Sequence, residues 1–124
     1  MRAAVEAILL RVFVGEEDRY EGQPLYQAIV MSALQWRMAG ATVLPGPDGF
    51  GTSRSIRTEL NVDAGPRGPM IVEIVDTEEQ INRFLPVLNS MIGSGLVTLE
   101  RVRAIRYRRP DRLNSAVPDA APPP

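Results

Sequence analysis

The chain of 124 residues contains no cysteine, no histidine and, among its 14 basic side chains, no lysine. Each absence removes a class of chemistry. Without cysteine there is no disulfide framework, thiol nucleophile or thiolate metal site; without histidine there is no imidazole ligand and no base titrating near neutrality. The lack of lysine excludes Schiff-base chemistry and the phosphate-reaching lysine of a Walker A loop. No apolar run approaches the roughly 18 residues a membrane span requires. Residues Met1 to Leu10 include Glu6 and are followed by no A-x-A-like cleavage site. The cytoplasm is therefore the expected compartment, with no insertion into a membrane. A formal net charge of -1 gives no electrostatic case for nucleic-acid binding.

What is present is a composition suited to one soluble domain with a real core: 44% hydrophobic and 23% charged residues. Ile8 to Val14 is an apolar run rich in β-branched residues, ended by Gly15 and the acids Glu16, Glu17 and Asp18, and reads as a buried strand. Pro24 suits the first turn of a helix on which Leu25, Ala28, Ile29, Ser32 and Trp36 share a face, with Gly40 as its stop. Ala41 to Leu44 closes the first half as a strand. The second half repeats the order. Met70 to Val75 is a strand. Thr77 and Gln80 fit a capping box, with Asp76 as a rival cap, for a helix that carries Ile81, Phe84, Leu85, Leu88 and Ile92 at helical spacing. Pro86 predicts a kink in that helix. Leu96 to Tyr107 is a long strand that grows Arg-rich. Residues 109–124 turn to Pro, Ala and Asp and lack the apolar side chains to repay ordering, so they read as a flexible tail after a domain of residues 1–108.

Two βαβ halves in a chain of this length predict an α+β, ferredoxin-like βαββαβ fold: an antiparallel four-stranded sheet with both helices on one face. A sheet facing water on its other side should alternate apolar and polar residues. Ile8, Leu9, Leu10, Val12, Phe13 and Val14 are instead apolar on both faces, as are Met70, Ile71, Val72, Ile74 and Val75. Something must cover the second face, and copies of the chain are the simplest solution. Arg11 and Glu73 interrupt the two runs and are expected either to face each other in the subunit interface or to be separate solvated charges.

Ala41 to Glu59 runs from a strand pattern through Gly49-Phe50-Gly51 into a polar segment too long for a hairpin turn. Gly49 and Gly51 can uncover backbone N–H groups for an anion, and Arg54 and Arg57 add permanent positive charge; the alternative is a surface loop with glycines for turning. The late arginines Arg101, Arg103, Arg106, Arg108, Arg109 and Arg112 favour a local anionic partner. On the predicted strand Arg106 and Arg108 point the same way and suit a polyphosphate, unless they are an exposed edge-strand pair. Glu16 to Glu21, EEDRYE, either forms part of a ligand rim or covers the start of the first helix, the acids complementing its dipole. A hard-cation site at Glu16, Glu17 and Asp18 is the further alternative, and no metal site is expected.

The blocks GEEDRYEGQPLYQAIV, AGATVLPGPDGFG, VEIVDTEE and GSGLVTLE, in that order, closely resemble the PII-like proteins of the domain-of-unknown-function 190 family. That family is similar to the PII signal-transduction proteins and more distantly to CutA. The resemblance implies a homotrimer assembled around its sheets, with Thr52 to Gly68 as a T-loop that contacts partner proteins and responds to a nucleotide between subunits. By the same resemblance Gly49, Phe50 and Gly51 shape the ligand cleft, Thr52 and Ser53 offer hydroxyls, Arg106 and Arg108 hold the phosphates, and Arg54 and Arg57 sit on the partner-binding loop. The lysine-bearing phosphate loop of PII proteins has only Met91 to Gly95 in its place, and no tyrosine lies between Thr52 and Gly68. The expected function is thus a non-enzymatic regulator that binds a small anionic effector, an adenine nucleotide being the candidate, with a membrane transporter or channel as the candidate partner. The competing readings are a ligand-independent adaptor subunit and, further off, a divalent-cation-dependent hydrolase working through carboxylates such as Glu59 or Asp76.

Overall fold

The computed structural model describes residues 3–46, 49–50, 56–57 and 68–107. Along the chain the elements are β1 (Val5–Gly15), β2 (Arg19–Tyr20), β3 (Gln23–Pro24), α1 (Leu25–Gln35), β4 (Thr42–Pro45), β5 (Gly49–Phe50), β6 (Ile56–Arg57), β7 (Pro69–Asp76), α2 (Glu78–Met91) and β8 (Leu96–Ala104). Four of the strands form one sheet in the order β4-β7-β1-β8, and every neighbouring pair is antiparallel. The predicted ferredoxin-like arrangement is the one observed. The expected tail, residues 109–124, lies outside the described residues.

The core follows from the period of two along the strands. Ile8, Leu10, Val12 and Val14 of β1 and Met70, Val72 and Ile74 of β7 are buried against Leu25, Ala28, Ile29 and Ala33 of α1 and Ile81, Phe84, Leu88 and Met91 of α2. Both helices therefore lie on the face carrying the even-numbered residues of β1.

Local details depart from expectation in instructive ways. Helix α1 does not run to Gly40. Its left-handed residue is Arg37, at φ 55°, with Met38 N–H donating to Ala33 O at 3.0 Å and Arg37 N–H to Leu34 O at 3.1 Å. This is a Schellman stop three residues before the glycine. At the start of α2, Thr77 Oγ1 accepts from Gln80 N at 3.2 Å, which is half of the predicted capping box. The other half is replaced by Asp76, whose Oδ1 accepts from Thr77 N at 2.7 Å and whose Oδ2 accepts from Ala39 N at 2.8 Å. Asp76 thereby ties the end of α1 to the start of α2. Helix α2 is unbroken through Pro86.

The acidic segment before α1 works through Asp18, by both its backbone and its side chain. Asp18 O accepts from Leu25 N at 2.7 Å, satisfying an N–H at the helix start, while Asp18 Oδ2 accepts from Gly15 N at 2.8 Å. No acid lies within the first turn of α1 itself. Tyr20, half-buried, packs on the core, and β2 and β3 close around Glu21 and Gly22, both with positive φ, as a two-residue hairpin of this kind demands.

Candidate functional site

The residues left on the sheet face away from the helices form ladders across the strands. Register places Leu44 of β4, Ile71 of β7, Phe13 of β1 and Leu96 of β8 in one apolar rung. The next rung is polar: Thr42, Glu73, Arg11 and Thr98. The third holds Val75, Leu9 and Glu100. Leu96 is 58% exposed, Leu44 42% and Val75 40%, so the expected two-sided greasiness of β1 and β7 is present and nothing within the described residues covers it.

Within this face Arg11 and Glu73 do face each other, inside one chain: Arg11 Nε donates to Glu73 Oε2 at 2.7 Å. Arg11 Nη1 lies 3.7 Å from Glu100 Oε1. The hydrogen bond to Glu73, first of all, and the charges of Glu73 and Glu100 raise the guanidinium above its ordinary value, with desolvation opposing them. Arg11 is therefore charged at any working pH. Glu100 escaped the sequence reading; only the pairing register of β1 with β8 sets it beside Arg11. Next to Glu73 lies a shallow cavity of ≈ 360 Å³ lined by Ala39, Gly40, Ala41, Thr42, Glu73 and Val75.

The segment that follows β4 is rooted at the other end of the sheet. Gly46 N donates to Pro69 O at 2.9 Å, and Glu16 N donates to Gly68 O at 2.9 Å, so the chain leaves and re-enters the sheet at one place. A Cβ on Gly46 would lie 2.7 Å from Pro69 Cγ, closer than the ring permits, which makes glycine a requirement of this root. Beyond it, Gly49 and Phe50 sit on β5, paired with β6 so that Gly49 lies opposite Arg57 and Phe50 opposite Ile56. Gly51, Thr52, Ser53, Arg54 and Arg108 lie outside the described residues. Arg106 is described but falls two residues past the end of β8, at Ala104. The predicted strand to Tyr107 ends instead at Ala104, opposite Val5, the first residue of β1.

Both oxygens of Asp76, one of the carboxylates weighed for hydrolysis, are occupied by backbone N–H groups. Among the described residues no group of three or more Asp or Glu side chains is placed to hold a metal ion, Glu16, Glu17 and Asp18 included, and no helix is long and apolar enough to cross a membrane.

Comparison with known proteins places this geometry. The family model for DUF190, described as "Uncharacterized ACR", matches residues 7–104. The UPF0166 protein of Aquifex aeolicus (strain VF5) is 37% identical over 101 residues, covering 82% of this chain and 95% of the relative. A UPF0166 protein of Methanocaldococcus jannaschii is 33% identical over 99 residues, covering 77% and 88%. Among solved structures, CPII, a nitrogen regulatory PII-like protein from Thiomonas intermedia K12, bound to ADP, AMP and bicarbonate, matches with a TM-score of 0.59 at 12% identity, over 86% of this chain and 94% of that one. Its apo form matches with a TM-score of 0.52 at 11% identity, over 86% and 100%. At such identities the likeness is one of fold. The sheet order, the helices on one face and the match over most of the length lead to one conclusion: the chain belongs to the DUF190 (UPF0166) family and has a PII-like, ferredoxin-like fold.

Proposed function

We propose that this chain is a subunit of a non-enzymatic PII-like regulator. Three copies pack their open sheet faces together and hold a small anionic effector, an adenine nucleotide first, in the clefts between them. The observation that carries this reading is the uncovered apolar face of β4, β7, β1 and β8, since each large apolar side chain fully removed from water is worth about 1.5–3 kcal/mol. Gly49, Phe50 and Gly51 line the cleft through their backbone, Thr52 and Ser53 offer hydroxyls, and Arg106 and Arg108 neutralise the anion. Residues 52–68, with Arg54 and Arg57, form the T-loop that meets a partner protein in the cytoplasm, a transporter or channel being the first class to test. Effector binding alters the order of this loop, a recognised form of switch. The ADP and AMP bound by CPII, a protein of the same fold, support the choice of ligand class.

The test is titration calorimetry with AMP, ADP and ATP, each with and without bicarbonate, alongside native mass spectrometry. Trimers that bind at least one adenine nucleotide, with affinity lost in an Arg106→Ala, Arg108→Ala variant, are the expected result. Trimers that bind none, or whose binding ignores that double substitution, remove the effector site and leave a ligand-independent adaptor.

A further inference from the structure

The open face is greasy on its outer rungs and charged in the middle, and the charges are incompletely satisfied. A guanidinium carries N–H donors on Nε, Nη1 and Nη2. Arg11 uses Nε on Glu73; the approach of Nη1 to Glu100, at 3.7 Å, is too long for a hydrogen bond. Its Nη groups therefore make no hydrogen bond to the described residues, and the Glu100 carboxylate makes none either. In the free chain water serves both, since the side chains of Arg11 and Glu100 are 39% and 63% exposed. Once the apolar rungs on either side are covered, water leaves, and whatever covers them must bring an acceptor for Arg11 and a donor for Glu100.

The face itself holds that complementary pair. We propose that a second copy of this chain covers the open face and sets its Glu100 against the spare Nη groups of Arg11. Each guanidinium is then shared between Glu73 of its own chain and the Glu100 of a neighbour. The inference rests on the assembly of copies proposed above and adds what fixes its register. Apolar rungs can slide past one another at little cost, whereas a charge left unpaired in the contact is expensive, so the polar rung selects one alignment. Direction matters as well. Leu44, Ile71, Phe13 and Leu96 lie on one side of Arg11, and Leu9, Val75 and Glu100 on the other. Because donor and acceptor lie in different rungs, each copy offers one to its neighbour, and the pairing fixes the offset between the two faces.

The absence of native cysteine makes the test direct. Arg11→Cys and Glu100→Cys are made as separate single variants, mixed, and treated with a short bis-maleimide, so that every cross-link joins two chains. Mixed dimers exceeding either self-linked dimer are expected. Self-linked dimers in excess, or no link while native mass spectrometry still shows the assembly, overturn the pairing and leave the assembly standing. A chain that is monomeric as wild type at micromolar concentration removes the assembly and this inference with it. As a second measurement that spares Arg11, Glu100→Gln should keep its circular dichroism and thermal midpoint yet weaken subunit association about tenfold or more. An unchanged association constant contradicts the proposal.

Discussion

At the scale of single residues, the positions that matter most for local geometry are those where one backbone angle or one N–H decides the path. Arg37 is the clearest. It occupies a left-handed conformation, φ 55°, that an L side chain adopts at a cost and glycine adopts freely. Replacing Arg37 with Gly is expected to raise stability by about 0.5–1 kcal/mol, read from the urea midpoint at constant slope; a fall would show that the arginine side chain makes a compensating contact. The sequence pointed to Gly40 because glycine usually marks a helix stop, but where α1 runs out is set by its docking on the sheet. Gly46 is the reverse case, since nothing local distinguishes it from the other glycines of a loop. Its need appears only when Pro69, far along the chain, is brought against it. Gly46→Ala should cost about 1–3 kcal/mol in the same assay, the range for forcing an extra carbon into a closed contact.

At the scale of elements, the strands were legible because buried strands declare themselves as apolar runs of β-branched residues, and β1 and β7 exceed the predicted spans by only a few residues. Helix α2 was legible for a similar reason: Ile81, Phe84 and Leu88 form its buried face, and Thr77 caps it. Pro86 breaks a local rule inside it. The proline offers no N–H to the turn before it, yet the helix passes through unbroken because Phe84 and Leu88 on either side are fully buried. Pro86→Ala is expected to stabilise the protein by about 1–2 kcal/mol, since the side chain is exposed and the missing backbone bond can then form; differential scanning calorimetry would show the higher midpoint. Where β8 ends was not legible. Residues past Ala104 keep the alternating pattern of a strand, but a strand needs a paired neighbour, and the pairing with β1 stops at Val5.

At the scale of the whole molecule, the open sheet face dominates. Its apolar rung Leu44, Ile71, Phe13 and Leu96 lies opposite the helices, so a charge placed there should leave the core intact while preventing association. Ile71→Arg is expected to keep the far-ultraviolet spectrum of the parent and to sediment as a monomer; an unaltered assembly would move the subunit contact to another surface. By itself the sequence determined the order of strands and helices, the faces they bury and the fact that the sheet has a second apolar side, because these depend on composition and period, which are properties of neighbours along the chain. Only the tertiary structure decided that Arg11 meets both Glu73 and Glu100, that Asp76 bridges the two helices, and that the long segment after β4 springs from Gly46 against Pro69. Those are meetings of residues distant in sequence, and they exist only once antiparallel pairing has set the register.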